Sequence, residues 1–188
     1  LLQPGCFLTF DQNTQEKFKE NTYWRLDRWF RNKRYKNLSF KNAKEQFSEL
    51  MNKSLTSRSN SDVTIGTYLS GGIDSSIISL NLKNLSSQNM MAHNISFKEK
   101  SYDETKYAEY ISKKVNHDLK SHSMPSPKDI ALDFSEIVEA MDQPMADTAF
   151  ISNFYLSKFS RKYSTVVFSG DGADEMLCGY ETYLADIF

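Results

Sequence analysis

Ser70-Gly71-Gly72-Ile73-Asp74-Ser75-Ser76 lies between two unlike stretches of chain. Before it runs Val63-Thr64-Ile65-Gly66-Thr67-Tyr68-Leu69, apolar and β-branched. Behind it Ile77, Ile78, Leu82 and Leu85 fall at offsets that suit one face of a helix. The reading is strand, tight turn, helix. Adjacent glycines let a backbone turn sharply and bring its N–H groups near a ligand. The first N–H groups of the helix lack intrahelical partners and carry the positive end of the dipole. Phosphate is the group such a place receives. The stretch lacks the Gly-Lys-Ser/Thr ending of the lysine-bearing phosphate loop. Asp74 stands at the helix start instead, where a carboxylate repels phosphate unless a cation lies between them. The pattern therefore predicts hydroxyls and amides around phosphate, with Asp74 on Mg²⁺. The plainer alternative is a strand-to-helix turn with Asp74 as a cap. Four hydroxyl or carboxylate groups in seven residues favour phosphate.

Working outward, strand-like and helix-like runs alternate. Ser39 is placed to cap a helix with Phe40, Ala43, Phe47, Leu50, Met51 and Leu55 on one face. Met91 to Phe97 and Asp118 to Met124 read as strands. Between them Ser101-Tyr102-Asp103-Glu104 has the pattern of a capping box, ahead of Tyr107, Ala108, Ile111 and Val115. Ser126 and Pro127 open a helix expected to continue through Ile130, Phe134, Ile137, Val138 and Met141. Pro144 marks a break, and Phe150, Ile151, Phe154, Tyr155 and Phe159 form another helical stripe. Ser164 to Phe168 is a short buried strand. It runs into Ser169-Gly170-Asp171-Gly172-Ala173-Asp174-Glu175, three acids within five residues. Acids this close repel one another at pH 7 unless a proton or a cation intervenes, and Mg²⁺ would relieve them. Alone, this second loop reads more simply as a solvated acidic turn.

The alternation predicts an α/β fold, an open parallel sheet with helices on both faces. Ligands of such sheets bind beyond the carboxyl ends of the strands, where strand order reverses. Both glycine-rich loops leave such ends, so they are expected to face one crevice.

Composition narrows the classes. The 188 residues suffice for one domain and part of a neighbour. A net charge of −1 argues against a surface that seeks nucleic acid. No apolar run approaches the ~18–20 residues of a membrane span, and no signal peptide is visible. Residues 11–38 are charged and aromatic, and read as a linker. Its basic cluster, Arg25, Arg28, Arg31, Lys33, Arg34 and Lys36, is read as solvated rather than as a nucleic-acid patch. Cys6 and Cys178 match no zinc spacing, and a reduced, cytoplasmic setting is expected. Cys178 is read as a packed thiol. His93, His117 and His122 match no metal spacing and are read as ordinary surface or strand residues. The chain begins with Leu1 and is read as a piece of a longer protein.

Leu69-Ser70-Gly71-Gly72-Ile73-Asp74-Ser75-Ser76 resembles the pyrophosphatase-type (PP-loop) ATP loop of the asparagine synthetases. Ser169 to Glu175, followed by Gly179-Tyr180, is similar to that family's second loop. Tyr102-Asp103-Glu104 with Tyr107-Ala108, and Asp142-Gln143-Pro144-Met145-Ala146-Asp147, resemble two intervening segments. Pro4-Gly5 with Thr9-Phe10, and Tyr23-Trp24, resemble the junction that leaves the glutaminase domain. Gln143 stands where the family usually carries Glu, Ser96 where Gly is common, and Cys178 where a small residue is common.

The resemblance implies an adenine nucleotide α-hydrolase-like fold, incomplete at the C-terminus. Residues 1–38 would be the end of a glutaminase domain and a linker. Residues 39–188 would be a truncated ATP-binding synthetase domain. It implies adenylation of the aspartate side chain with release of pyrophosphate, then attack by glutamine-derived ammonia to give asparagine and AMP. Ser70 to Ser76 would hold the pyrophosphate. Leu69 and Ile95 would line the adenosine site, and Ser169 and Gly170 would touch the AMP part. Asp74 and Asp174 would bind Mg²⁺, and Asp171 would be the acid beside the reacting carboxylate. Asp142, Asp147 and Thr148 are candidate substrate residues. Cys6 is internal and does not match a terminal glutaminase nucleophile, so the chain by itself is not expected to make asparagine from glutamine. A homodimer stays open for the full-length protein. Two alternatives also stay open: a related amidotransferase acting on a surface glycan, peptide or β-lactam precursor, and a degenerate nucleotide-binding module.

Overall fold

A computed structural model describes residues 1–13, 18–30, 37–85 and 90–186. The chain divides into two compact units, Leu1–Leu50 and Met51–Phe188. This division falls inside a helix, whereas the sequence reading sets its boundary at the start of that helix.

In the first unit β1 (Cys6–Phe10) pairs antiparallel with β2 (Phe18–Thr22), Cys6 opposite Thr22 and Phe10 opposite Phe18. The stretch read as linker therefore contributes a strand. Gly5 allows the turn into β1. Its φ is +72°, and a Cβ there would meet the Trp24 backbone. The short helix α1 (Asp27–Phe30) follows. Tyr23, Trp24, Arg25, Arg28 and Trp29 line a small cleft, in which Arg25 is paired with Asp27 at 2.9 Å. Arg31, Lys33, Arg34 and Lys36, the rest of the basic cluster, lie outside the described residues.

Helix α2 (Phe40–Ser59) crosses the division. The Ser39 hydroxyl accepts from the Asn42 N–H at 3.2 Å, as a cap should. The expected stripe is only partly covered. Leu55 is buried, while Phe40, Phe47 and Leu50 are exposed.

The second unit carries β3 (Ile65–Tyr68), α3 (Ile73–Leu85), β4 (Met91–Ser96), α4 (Thr105–Val115) and β5 (Asp118–Ser123). Helices α5 (Pro127–Leu132), α6 (Phe134–Glu139) and α7 (Ala149–Ser160) follow, then β6 (Val166–Phe168) and α8 (Ala173–Leu177). A 3₁₀ turn spans Glu181–Asp186. The four strands are parallel, in the order β5-β4-β3-β6. From β3 the chain winds outward through β4 to β5, then returns to place β6 on the other side of β3.

Strand parity decides which side chains meet which helices. Ile65, Thr67 and Leu69 share one face, with Ala92 of β4. There Ile65 packs with Leu55, Ile78, Leu82, Met90 and Phe168, and Leu69 packs with Ala92, Ala108, Ile111 and Leu119. Leu82 is wholly buried, which for such a side chain is worth about 1.5–3 kcal/mol. Thr67 and Ser79, also buried, satisfy each other at 3.2 Å. Gly66, Tyr68, His93 and Ile95 share the opposite face, under α7. The Tyr68 hydroxyl lies 3.1 Å from Ser157 Oγ and 3.3 Å from Ser160 Oγ. Helices thus cover both faces of a parallel sheet, as the alternation predicts. No helix among the described residues is long and apolar enough to cross a membrane.

Several local expectations are corrected. Ser101 to Glu104 do not form a capping box. Glu104 is the N-cap of α4 without a side-chain bond, and Asp103 accepts from the Thr105 hydroxyl at 2.6 Å and from the Phe97 and Thr105 N–H groups. These bonds, the hydroxyl first, hold the Asp103 carboxyl below the usual carboxylate range. The capping box lies instead at Ser126 and Asp129, with Pro127 in the first turn. The helix expected through Met141 breaks at Asp133, which ends α5, begins α6 and accepts from the Tyr155 hydroxyl at 2.9 Å. Cys178 is exposed, in the left-handed conformation at φ +58°, rather than packed.

Of the three histidines, His93 and His122 are strand residues as read, while His117 lies just before β5; His93 and His117 are buried. His93 is 0% and His117 is 6% exposed. Burial lowers both from the ordinary value of 6.5. The fold therefore favours their neutral forms. Their contribution to stability is full above pH 6.5 and is lost as the pH falls from there through their folded values. Each changes stability by at most about 1.4 kcal/mol per pH unit in that window. Chemical denaturation at pH 7.5 and 5.5 is expected to show lower stability at 5.5. Equal stability would mean that neither histidine stays neutral in the fold.

Candidate nucleotide site

The point where strand order reverses lies between β3 and β6, and the two glycine-rich loops leave the carboxyl ends of these neighbouring strands. They meet directly. A Cβ on Gly170 would sit 2.9 Å from the Ser75 backbone nitrogen and 3.0 Å from Asp74 Cβ. Above the strand ends is a cavity of about 430 Å³.

Of the first loop, Leu69, Ser70, Gly72, Asp74 and Ser75 line this cavity; Gly71, Ile73 and Ser76 do not. The two glycines have different tasks. Gly71 has φ +91°, and its missing side chain admits the start of α4, with Ala108 N only 2.6 Å from an ideal Cβ. Gly72 meets nothing nearer than Ser70 Oγ at 3.2 Å, and faces the cavity. The hydroxyls knit the turn. Ser70 Oγ accepts from the Gly72 N–H at 3.1 Å, and Ser75 and Ser76 donate to the Gly72 carbonyl at 3.2 and 2.6 Å. The single hydroxyl proton of Ser76 is thus engaged within the loop. Ile73 is 78% exposed.

From the second loop Ser169, Gly170, Asp171 and Asp174 line the cavity, and Ile95 joins them from the end of β4. The Ser169 hydroxyl donates to Asp171 Oδ2 at 2.9 Å. Asp174 is fitted against Gly179, whose N–H donates to the Asp174 carbonyl at 3.0 Å. A Cβ on Gly179 would collide with the Asp174 carboxylate. Asp142, Asp147 and Thr148 are not on the cavity wall. Asp147 accepts from the Ala149 N–H at 2.8 Å, and Thr148 is the N-cap of α7. Ser152, Asn153 and Leu156 of α7 line the cavity in their place.

Glu175 and Tyr180, to which the sequence assigns no site role, also line the cavity. The Tyr180 hydroxyl donates to Glu175 Oε1 at 2.9 Å, a bond that raises the tyrosine above its ordinary value. Three acids in five residues already marked Glu175 as a candidate; only the fold pairs it with Tyr180. Five carboxylates, of Asp74, Glu104, Asp171, Asp174 and Glu175, border the cavity, with no Lys or Arg lining it among the described residues.

No three His, Cys, Asp or Glu residues among those described form a metal-binding group. Asp74 and Asp174 nonetheless suit a hard cation. Both are oxygen donors on one cavity, and neither carboxylate has a hydrogen-bond partner among the described residues. Mg²⁺ takes one or two such carboxylates and completes its shell with phosphate and water.

A cavity at the switch point of a parallel sheet, walled by a glycine turn and a helix start, places the chain among nucleotide-site α/β proteins. The chain belongs to the asparagine synthase family, whose model matches residues 46–187. It is 31% identical over 123 residues to asparagine synthetase [glutamine-hydrolyzing] 1 of Bacillus subtilis, covering 65% of this chain and 19% of that protein. It is 25% identical over 195 residues to asparagine synthetase [glutamine-hydrolyzing] 2 of the same organism, covering 98% of this chain and 25% of that one. Neither match spans more than about a quarter of the relative's length. An NH₃-dependent NAD synthetase from Campylobacter jejuni aligns with a TM-score of 0.48 and 19% identity, over 72% of this chain and 60% of that one.

Proposed function

We propose that this chain is the ATP-binding part of an amide-forming ligase that adenylates the aspartate side chain and passes it to ammonia. The observation that carries the reading is the junction of the two loops, which puts Asp74, Asp171 and Asp174 on one cavity with the start of α3. Gly72, Ser70, Ser75 and the first N–H groups of α3 would receive the pyrophosphate. Leu69 and Ile95 would border the adenosine, with Ser169 and Gly170 beside the AMP phosphate. Asp74 and Asp174 would hold Mg²⁺, which supplies charge neutralisation for the leaving pyrophosphate. That need is acute on a wall bordered by five carboxylates. Asp171, oriented by Ser169, would stand by the reacting carboxylate as an acid or base. A positioned group of that kind is worth ~10²–10⁴-fold in rate. Residues 1–38 are proposed as the end of a glutaminase domain and its linker, and glutamine as the source of ammonia.

In the full-length protein, labelled pyrophosphate is expected to exchange into ATP only when aspartate and Mg²⁺ are present. Exchange with another carboxylate and not with aspartate would change the acceptor. Absence of exchange with every carboxylate, despite ATP binding, would leave a binding module.

A further inference from the structure

The loop between β4 and α4 carries a bond network that the proposed chemistry does not use. Asp103 is its centre. One of its carboxylate oxygens accepts from the Thr105 hydroxyl at 2.6 Å, from the Phe97 N–H at 3.3 Å and from the Thr105 N–H at 3.4 Å. An ionised carboxylate only accepts, so the Thr105 hydroxyl proton is committed to it. The same hydroxyl oxygen accepts from the Asn94 side-chain amide, 2.9 Å away. Asn94 is buried on β4. Within the loop the Tyr102 N–H donates to the Glu99 carbonyl at 3.1 Å. The loop is thus tied at both ends, to the strand that it leaves and to the helix that it enters. Asp103 does not line the cavity, whereas its neighbours Tyr102 and Glu104 do.

The acids of the cavity are unevenly placed. Four of the five carboxylates, those of Asp74, Asp171, Asp174 and Glu175, come from the start of α3 and from the second glycine-rich loop and its helix. The end of β4 and the loop behind it bring instead Ile95, Phe97 and Tyr102, with Glu104 as their one carboxylate. Ile95 and Phe97 are half-buried, and Tyr102 is 70% exposed. All three side chains are open to contact. The base is the flat, apolar part of a nucleotide, and an aromatic ring offers a face on which any base can stack. The triphosphate is the charged part, and belongs with the acids that hold its cation.

We propose that the loop of residues 97–105 forms the base-side wall of the cavity, with Phe97 and Tyr102 as its contact surface and Asp103 as the positioning residue that holds Tyr102 in place. This assignment rests on the proposed binding of ATP and adds the residues that grip its base. Stacking reads the face of the base and not its edge, so the wall contributes affinity without choosing among purines. With the network broken, the loop must be ordered when nucleotide arrives, at a cost in affinity.

Calorimetry on the full-length protein with Mg²⁺ tests both roles, using ATP and inorganic tripolyphosphate, which carries the phosphates without the base. Tyr102→Ala should weaken ATP binding about tenfold, the scale of one base–aromatic stack, and leave tripolyphosphate unchanged. Tyr102→Phe should bind both as the unaltered protein does. Unchanged ATP affinity in Tyr102→Ala, or an equal loss for the two ligands, overturns the wall. Asp103→Ala should also weaken ATP and spare tripolyphosphate. Added to Tyr102→Ala it should cost little further, because it acts through that ring. Fully additive losses overturn the positioning role and leave Asp103 a structural residue only. If Asp103→Ala does not fold, Thr105→Val, which removes the bridging hydroxyl alone, reads the same coupling. An unaltered protein that binds tripolyphosphate as tightly as ATP overturns the wall. One that binds neither overturns the ATP reading itself, and the wall with it.

Discussion

Asp74→Asn in the full-length protein is expected to abolish Mg²⁺-dependent ATP binding and to lower aspartate-dependent exchange by about 10²–10³-fold, the usual loss when one electrostatic partner of a reacting group is removed. The substitution keeps size and shape, so the start of α3 should fold as before. What it removes is a negative charge on a cavity wall bordered by five carboxylates. Without a cation, that wall repels triphosphate; with one, each carboxylate that holds the cation attracts it. Asp174→Asn should act in the same direction, and the pair should be strongly non-additive if they hold one ion. Calorimetric titration with ATP, with and without Mg²⁺, separates the outcomes. Equal affinity for MgATP in Asp74→Asn would remove Asp74 from the metal site.

Gly71→Ala should be the most damaging single methyl in the phosphate turn, with a loss of roughly 2–5 kcal/mol of stability from a left-handed backbone and a crowded contact. Gly71 has φ +91°, and its Cβ would enter the backbone at Tyr107 and Ala108. That backbone is the start of α4 and cannot give way as a flexible side chain can. Against a total of about 5–15 kcal/mol for an ordinary domain, such a loss threatens folding. Gly72→Ala is the contrast. Its Cβ meets only the Ser70 hydroxyl, at 3.2 Å, so urea unfolding should change little while ATP affinity falls. Equal destabilisation by the two would contradict the division of labour between the glycines.

That division shows where sequence was legible and where it was not. The Gly-Gly pair announced a tight turn and a close backbone approach, and both are present. The sequence does not say that one glycine admits a helix and the other borders the cavity, because α4 begins more than thirty residues later. The parallel sheet and its crevice were readable for a local reason. Apolar runs at Val63 and Met91 and the helical stripes behind them carry their periods in a few residues each. Caps were less readable because they are contested locally. Asp103, inside the expected box, instead gathers bonds from Thr105 and Phe97. The break at Asp133 depends on Tyr155, 22 residues away. The substrate candidates Asp142, Asp147 and Thr148 came from a motif without a geometry, and the geometry turns Asp147 to the first turn of α7. His93 was least readable of all, since its burial depends on Gly66, Ser164 and Phe159, which lie far apart in sequence.

The seating of Gly170 against Asp74 and Ser75 has a consequence for the time order of the chain's synthesis. The glycine turn emerges from the ribosome with β3, and β4 and then β5 can pair in turn as they follow. Strand β6 docks on the opposite flank of β3, about a hundred residues after its partner. Until then the nascent sheet presents a phosphate turn without the acids of the second loop. The two loops are therefore brought together late and in one step, when β6 closes against β3.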